Sequence, residues 1–329
     1  MILPVLVSGE ALFDFFSTDV GAGLGGSTGF HKRAGGSPFN IAVGVQRLGV
    51  QVSFLGKVGA DEFGDALVAF LKRETLDLAH VIREEGTKTM LAFVAVDKEG
   101  KPEFRFYRDR AADISVRQDE LTSIQPEKFS LYHCGGIVLA DEPAASSYMS
   151  LVDRFVKAQI PVSLDPTVRK SLIQDPEKYV SFLSDLVSKV SILKVSDEEL
   201  EFLTGTRDFD RGAKLLPVRK DALVFVTLGK HGSSVYRDGV KIAGAPGFSV
   251  DVVETTGCGD SFMAATLAQL AGKSIADLGG IAKGDLESIM QFANAEAAIV
   301  ATRVGAAEAN PTRKEVQEFL AGPEIGLDC

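Results

Sequence analysis

Ser130-Leu131-Tyr132-His133, then the amphipathic stretch Ala144–Ala158, then Pro161-Val162-Ser163-Leu164-Asp165, together decide the fold. The outer runs are apolar and too short for helices, whereas the middle one repeats its apolar side chains at helical spacing. The unit is therefore strand, helix, strand, and strands joined through a helix run parallel. The same alternation extends in both directions. Leu3–Ser8, Val52–Val58, Ser191–Val195 and Ala222–Leu228 read as further strands, several apolar on both faces. Asn40–Leu48, Glu62–Glu74, Glu177–Ser188, Ser261–Ala271 and Leu286–Thr302 read as helices. Buried strands separated by helices predict an α/β fold with a doubly wound, mostly parallel sheet flanked by helices.

One region departs from this pattern. Thr89–Asp97 and Pro102–Arg108 alternate around Lys98-Glu99-Gly100-Lys101, which predicts a hairpin. Leu12–Ser17 and Gly29–Arg33 flank a glycine-rich loop and predict two more antiparallel strands. Residues 12–33 and 89–110 together are expected to form a small antiparallel β lid over the main sheet. No segment has linker composition and no repeat is visible, so residues 1–329 are expected to form a single domain.

Composition excludes several classes of function. Lys and Arg number 35 against 45 Asp and Glu, a net charge of −10, which argues against a nucleic-acid partner and its basic footprint. An acidic chain can still bind an anion through backbone N–H groups. Met1–Glu10 is apolar but has no basic start and meets an acid at once, so it reads as a buried strand rather than a leader. No uncharged run approaches the roughly 18 residues of a membrane span. Cys134, Cys258 and Cys329 form no CxxC, and the four histidines form no HExxH. Neither a disulfide framework nor a structural zinc site follows, and a cytoplasmic protein is expected.

Two glycine-rich stretches carry the chemistry. Val252-Val253-Glu254-Thr255-Thr256-Gly257-Cys258-Gly259-Asp260-Ser261-Phe262 runs straight into the helix Ser261–Ala271. Glycines at alternate positions before a helix leave N–H groups at the positive end of its dipole, which makes an anion hole. Asp260 at its lip is positioned to accept a proton from an attacking hydroxyl. Ala34-Gly35-Gly36-Ser37-Pro38-Phe39-Asn40 leads into a second helix, its glycines allowing close approach and Asn40 offering a donor and an acceptor. Val20–Gly26 contains a GxGxxG, but Ser27–His31 after it opens no helix, so it reads as a flexible loop and a dinucleotide site is excluded. No Walker-type GxxxxGK[ST] is present.

These two stretches resemble the paired signatures of the ribokinase-like (PfkB) sugar kinases. The similarity tightens towards fructokinases through Phe104–Arg108 with Ala111-Ala112-Asp113, Asp165–Arg169, Lys194–Glu199, Thr227–Gly232 and Phe292–Ala295. The resemblance implies an ATP-dependent sugar kinase, with fructose to fructose 6-phosphate favoured. Asp260 would be the general base, and Gly257, Cys258 and Gly259 would offer N–H groups to the transferring phosphoryl. Asp14, Gly35, Gly36 and Asn40 would hold the sugar, with Arg108 and Arg169 as cationic contacts and Arg108 assisting transfer. Lys194, Thr227, Gly229, Gly232 and Asn294 would serve ATP, and Glu199 would meet Mg²⁺ through water.

The sequence also departs from the family pattern. Ser196 replaces the Asn of the metal element, and Glu254 replaces the usual Asp near the monovalent-cation loop, where K⁺ is a candidate activator. Cys258 replaces Ala, and its place at a helix N-terminus is expected to lower its thiol pKa. Phe39 replaces a small residue and is expected to narrow the sugar pocket. A homodimer through the lid is expected, with Leu91/Phe93 and Phe104/Phe106 offering an apolar face. The alternatives are a 2-keto-3-deoxygluconate kinase, an aminoimidazole riboside kinase and, from another class, a catalytically silent sugar- or nucleotide-binding regulator.

Overall fold

The computed structural model describes residues 2–97 and 102–322, so the Lys98–Lys101 turn and Cys329 lie outside the described residues. The chain opens with β1 (Val5–Ser8), β2 (Leu12–Ser17), α1 (Gly23–Gly26), β3 (Phe30–Gly35), α2 (Ser37–Arg47), β4 (Val52–Gly59), α3 (Glu62–Arg73) and β5 (Asp77–Glu84). β6 (Met90–Val96), β7 (Pro102–Tyr107), β8 (Leu131–Gly135), α4 (Ala144–Lys157), β9 (Val162–Asp165), α5 (Pro176–Lys189) and β10 (Ile192–Ser196) follow. Next come α6 (Asp197–Thr204), α7 (Phe209–Leu215), β11 (Leu223–Thr227), β12 (Ser233–Arg237) and β13 (Val240–Ala245). α8 (Cys258–Leu270), α9 (Ile275–Gly280), α10 (Lys283–Ala301) and α11 (Arg313–Ala321) complete it.

The main sheet has the order β13-β12-β11-β10-β9-β8-β1-β4-β5. Its pairings are parallel, Tyr132 opposite Val162 for example, until β12 and β13 turn back antiparallel at one edge. Side chains alternate across it. Val5 and Val7 enter one core with α2, α8 and α10, while Leu6 enters the other with α4 and α5. That is the doubly wound arrangement. β1 lies between β4 and β8, where the winding reverses, and such a switch point opens a crevice at the carboxyl ends of the strands.

The second sheet has the order β3-β2-β6-β7. Two antiparallel pairs meet through one parallel pairing, β2 with β6, so the predicted antiparallel lid is a mixed sheet. Its register corrects one expectation. Phe106 pairs with Ala92 and Tyr107 with Leu91, which puts Phe104/Phe106 and Leu91/Phe93 on opposite faces. The predicted strands and long helices are all present. Those not predicted are the edge strand β5, the β12–β13 pair and the short helices α6, α7, α9 and α11. The Val20–Gly26 loop contains one helical turn, α1, whose Gly23 carbonyl accepts from Ser27 Oγ at 2.7 Å.

Candidate active site

Two cavities meet at the N-terminus of α8. A cavity of about 300 Å³ opens at the carboxyl ends of β1, β9 and β10 under the side sheet, and one of about 390 Å³ lies on the other side of the helix start. Thr255 and Gly259 line both. The glycine-rich loop before α8 is therefore the seam between them. Gly257 is the N-cap at φ +85°, a left-handed conformation that a side chain would oppose, and a Cβ there would also press on Ala306. The first-turn N–H groups of a helix have no partner within it. Cys258 N–H, however, already donates to Thr255 O at 3.3 Å, so the expected three-amide hole narrows to Gly257 and Gly259.

The smaller cavity gathers most of the predicted sugar-side residues. Asp14, Gly36, Asn40, Arg169 and Asp260 line it, with Phe104 and Phe106 of β7 as an aromatic wall. Gly35 stands behind Asp14, where a Cβ would overlap the carboxylate Oδ2. The glycine clears space for the acid rather than for the ligand. Asp14 is buried, and burial together with the nearby Asp260 charge pushes its carboxyl up to about 7, with Arg169 pulling the other way. Arg169 lies over the Phe104 ring, 5.7 Å from its centroid, and so ties the exit of β9 to the side sheet.

Asp260 is held from two sides. Ser37 Oγ donates to its Oδ1 at 2.7 Å, and Asn40 Nδ2 donates to its Oδ2 at 2.7 Å. Asn40 Oδ1 is buried with no hydrogen-bond partner. Thr167 Oγ1 in turn donates to Ser37 Oγ at 3.1 Å. Thr167 sits at φ +46°, an outlier for a β-branched residue that costs about 1–3 kcal/mol. Sequence reasoning missed Ser37 and Thr167, although both stand in the quoted loops. It also missed Glu10 at the exit of β1, a buried acid lining this cavity. Burial, with the Asp113 charge adding to it, holds Glu10 up at about 7. A carboxylate directly after a buried strand was the available signal.

Several expectations are corrected by burial and by neighbours. Arg108 lines neither cavity; its guanidinium is taken up by Asp141 at 2.7 Å and Asp113 at 3.2 Å. Lys194 lines the smaller cavity, not the larger one, with Nζ 2.9 Å from Asp165 Oδ2 and 4.0 Å from Glu199 Oε2. Burial opposes its charge, but the two carboxylates prevail and hold the ammonium above its ordinary range. Phe39 narrows no pocket, because it is fully buried in the core against Phe54 and Phe70. Cys258 is not acidified: burial, with the Asp260 and Glu254 charges, pushes its thiol up to about 12.

The larger cavity is built differently. Thr227, Gly229, Gly232 and Asn294 all line it, with Phe248, Val250, Val252 and Ala298 supplying apolar walls. Asn294 Nδ2 donates to the Ala245 and Pro246 carbonyls at 3.2 and 2.9 Å, so this amide braces the rim.

Among the described residues no cluster of three or more His, Cys, Asp or Glu is arranged to hold a metal. Glu199 is buried, accepting from Val168 N–H at 3.0 Å and Ser196 N–H at 2.8 Å, beside Asp165, whose Oδ1 has no hydrogen-bond partner. Both carboxylates share the buried Lys194 ammonium and line neither cavity, so they form no ready metal site on their own. Glu254 is engaged by Arg33 of β3 at 2.6 Å and accepts from Gly305 N–H at 3.3 Å, so its carboxylate already has a cation. Among the described residues no helix is long and apolar enough to cross a membrane.

Comparison with known proteins identifies the family. Residues 4–313 match the model of the pfkB family carbohydrate kinases. The chain is 38% identical over 318 residues to a probable fructokinase-2 of Arabidopsis thaliana, covering 96% of this chain and 95% of that one. A fructokinase from Xylella fastidiosa, solved with bound ATP, superposes with a TM-score of 0.86 at 30% identity, over 97% and 98% of the two chains. A Vibrio cholerae fructokinase, solved with fructose, ADP and calcium ion, gives a TM-score of 0.84 at 28% identity over 97% and 99%.

Proposed function

The chain belongs to the pfkB family of carbohydrate kinases, and from that premise we propose that it transfers the γ-phosphoryl of ATP to a primary hydroxyl of fructose, giving fructose 6-phosphate. One observation carries the reading. Asp260 stands in the smaller cavity, next to Gly259, where the two cavities meet. A sugar in the smaller cavity and a nucleotide in the larger would present hydroxyl and phosphoryl to each other across the start of α8.

In this reading Asp260 accepts the proton of the attacking hydroxyl. Asp14, Arg169 and the free Oδ1 of Asn40 bind the other hydroxyls. The N–H groups of Gly257 and Gly259 meet charge developing on the phosphoryl oxygens, and Thr227, Gly229 and Gly232 border the nucleotide. Magnesium arriving with ATP would shield phosphate charge. Arg33 occupies one oxygen of Glu254 and the other is buried without a hydrogen-bond partner, so potassium stays a candidate activator. The side sheet serves as a lid of one domain, its Phe104 and Phe106 closing water out. The opposite face, where Phe15, Phe30, Phe93 and the exposed Tyr107 cluster, supports a homodimer. The scattered cysteines support a cytoplasmic location.

A panel of fructose, other hexoses, 2-keto-3-deoxygluconate and aminoimidazole riboside with Mg-ATP, read by ADP release, tests the proposal. Fructose is expected to give the highest kcat/KM. ATP binding without turnover of any sugar would instead make the protein a silent regulator.

A further inference from the structure

We propose that Ser37, backed by Thr167, is a positioning residue that aims the Asp260 carboxylate at the acceptor hydroxyl; this rests on the reading of Asp260 as the base. Ser37 and Asn40 stand three residues apart in the first turn of α2 and so share one face of it. Each holds a different oxygen of Asp260 at 2.7 Å, across more than two hundred residues of chain. Two donors on one rigid turn fix both the direction and the plane of the carboxylate. Each of its oxygens keeps a lone pair for an incoming O–H.

Thr167 completes the arrangement. A hydroxyl has a single proton, and Ser37 gives its proton to an acceptor-only carboxylate. The second contact of Ser37 is therefore one it accepts, from Thr167 Oγ1 at 3.1 Å. Thr167 makes that contact from a left-handed backbone at the exit of β9, where a β-branched residue is disfavoured. Its hydroxyl orients Ser37, and Ser37 orients the base. In the step itself the sugar O–H bond breaks and its proton passes to Asp260. The oxygen bonds the γ-phosphorus, and the bond from that phosphorus to the β-phosphate bridge breaks as ADP leaves.

Steady-state kinetics with fructose and Mg-ATP on Ser37→Ala, Thr167→Val and the double variant test this, with thermal melts to establish folding. Ser37→Ala is expected to lower kcat about tenfold with both KM values nearly unchanged, and Thr167→Val to lower it about threefold. The double variant should be no slower than Ser37→Ala, because Thr167 acts only through Ser37. Ser37→Thr, which keeps the hydroxyl, should recover most of the rate. If Thr167→Val does not fold, Thr167→Gly removes the same hydroxyl with the backbone relaxed. Losses that multiply in the double variant, a change confined to KM, or a Ser37→Ala enzyme of full rate would each overturn the proposal. Asp260→Asn is measured alongside: a nearly inactive Asp260→Asn beside an unaffected Ser37→Ala rejects only the positioning role, whereas an active Asp260→Asn rejects the base assignment beneath it.

Discussion

The two cavities that meet at α8 solve opposite problems. The larger one has apolar walls from Phe248, Val250 and Val252, with glycines at its rim. The smaller one is crowded with ionisable groups: Glu10, Asp14, Asp260, Lys194 and Arg169. In the proposed reading a nucleotide arrives at the larger cavity with its own charge and metal, so the protein need supply only shape and oriented amides. A sugar arrives neutral, and only dense polar side chains can fix its hydroxyls. Burying those side chains is costly, which is why Glu10 and Asp14 are both pushed up to about 7.

The contrast can be broken by changes that move one cavity and leave the other. The largest effect is expected from Asp260→Ala, which should lower kcat by about 10³-fold while ATP affinity, read by calorimetry, stays within error. Weakened ATP binding would mean that the cavities are not separable. Gly35→Ala comes next. Its Cβ would displace the Asp14 carboxylate, and kcat/KM for fructose should fall by about 10²-fold with the KM for ATP unchanged. An unaltered fructose KM would show that Asp14 does not touch the sugar.

Asp14→Asn sharpens the same contrast through pH. Burial raises the folded-state pKa values of Asp14 and Glu10 above the ordinary 3.8 and 4.5. The folded protein therefore holds more protons than the unfolded chain between about pH 4 and 7, and stability is lost as pH rises through that window. Asp14→Asn removes one contribution. Its melting temperature at pH 8 should exceed the parent's by about 5 °C, with little difference at pH 4, while fructose KM rises about tenfold. Equal melting curves at pH 8 would mean that the acid is not buried as described. The smallest effect concerns Cys258 on the nucleotide side. With its thiol pushed up to about 12, alkylation at neutral pH should be slow, and saturating ATP should slow it a further few-fold. Labelling at an unchanged rate under ATP would remove Cys258 from that cavity.

What was legible in the sequence follows the range of the forces involved. Strand and helix periods are local, so β1, β8, β9, α4 and α8 could be read within a few residues. The Gly257–Asp260 loop was equally plain, because its chemistry is contained in adjacent residues. The grip of Ser37 on Asp260 spans the chain and leaves no local trace. Arg108, Lys194, Phe39 and Cys258 were misplaced for a related reason. Motif position gives their neighbourhood, but the state of the first three depends on Asp141, Asp165 and Phe54, which the fold brings from elsewhere, and that of Cys258 on its burial.

Thr167 has a consequence for anyone engineering this protein. Its left-handed backbone is a stability debt, and replacing it with glycine would relieve the debt at once. A screen that rewards heat resistance alone would select that replacement early and enrich slower enzymes. Thermostabilisation of this chain therefore has to be scored by turnover from its first round.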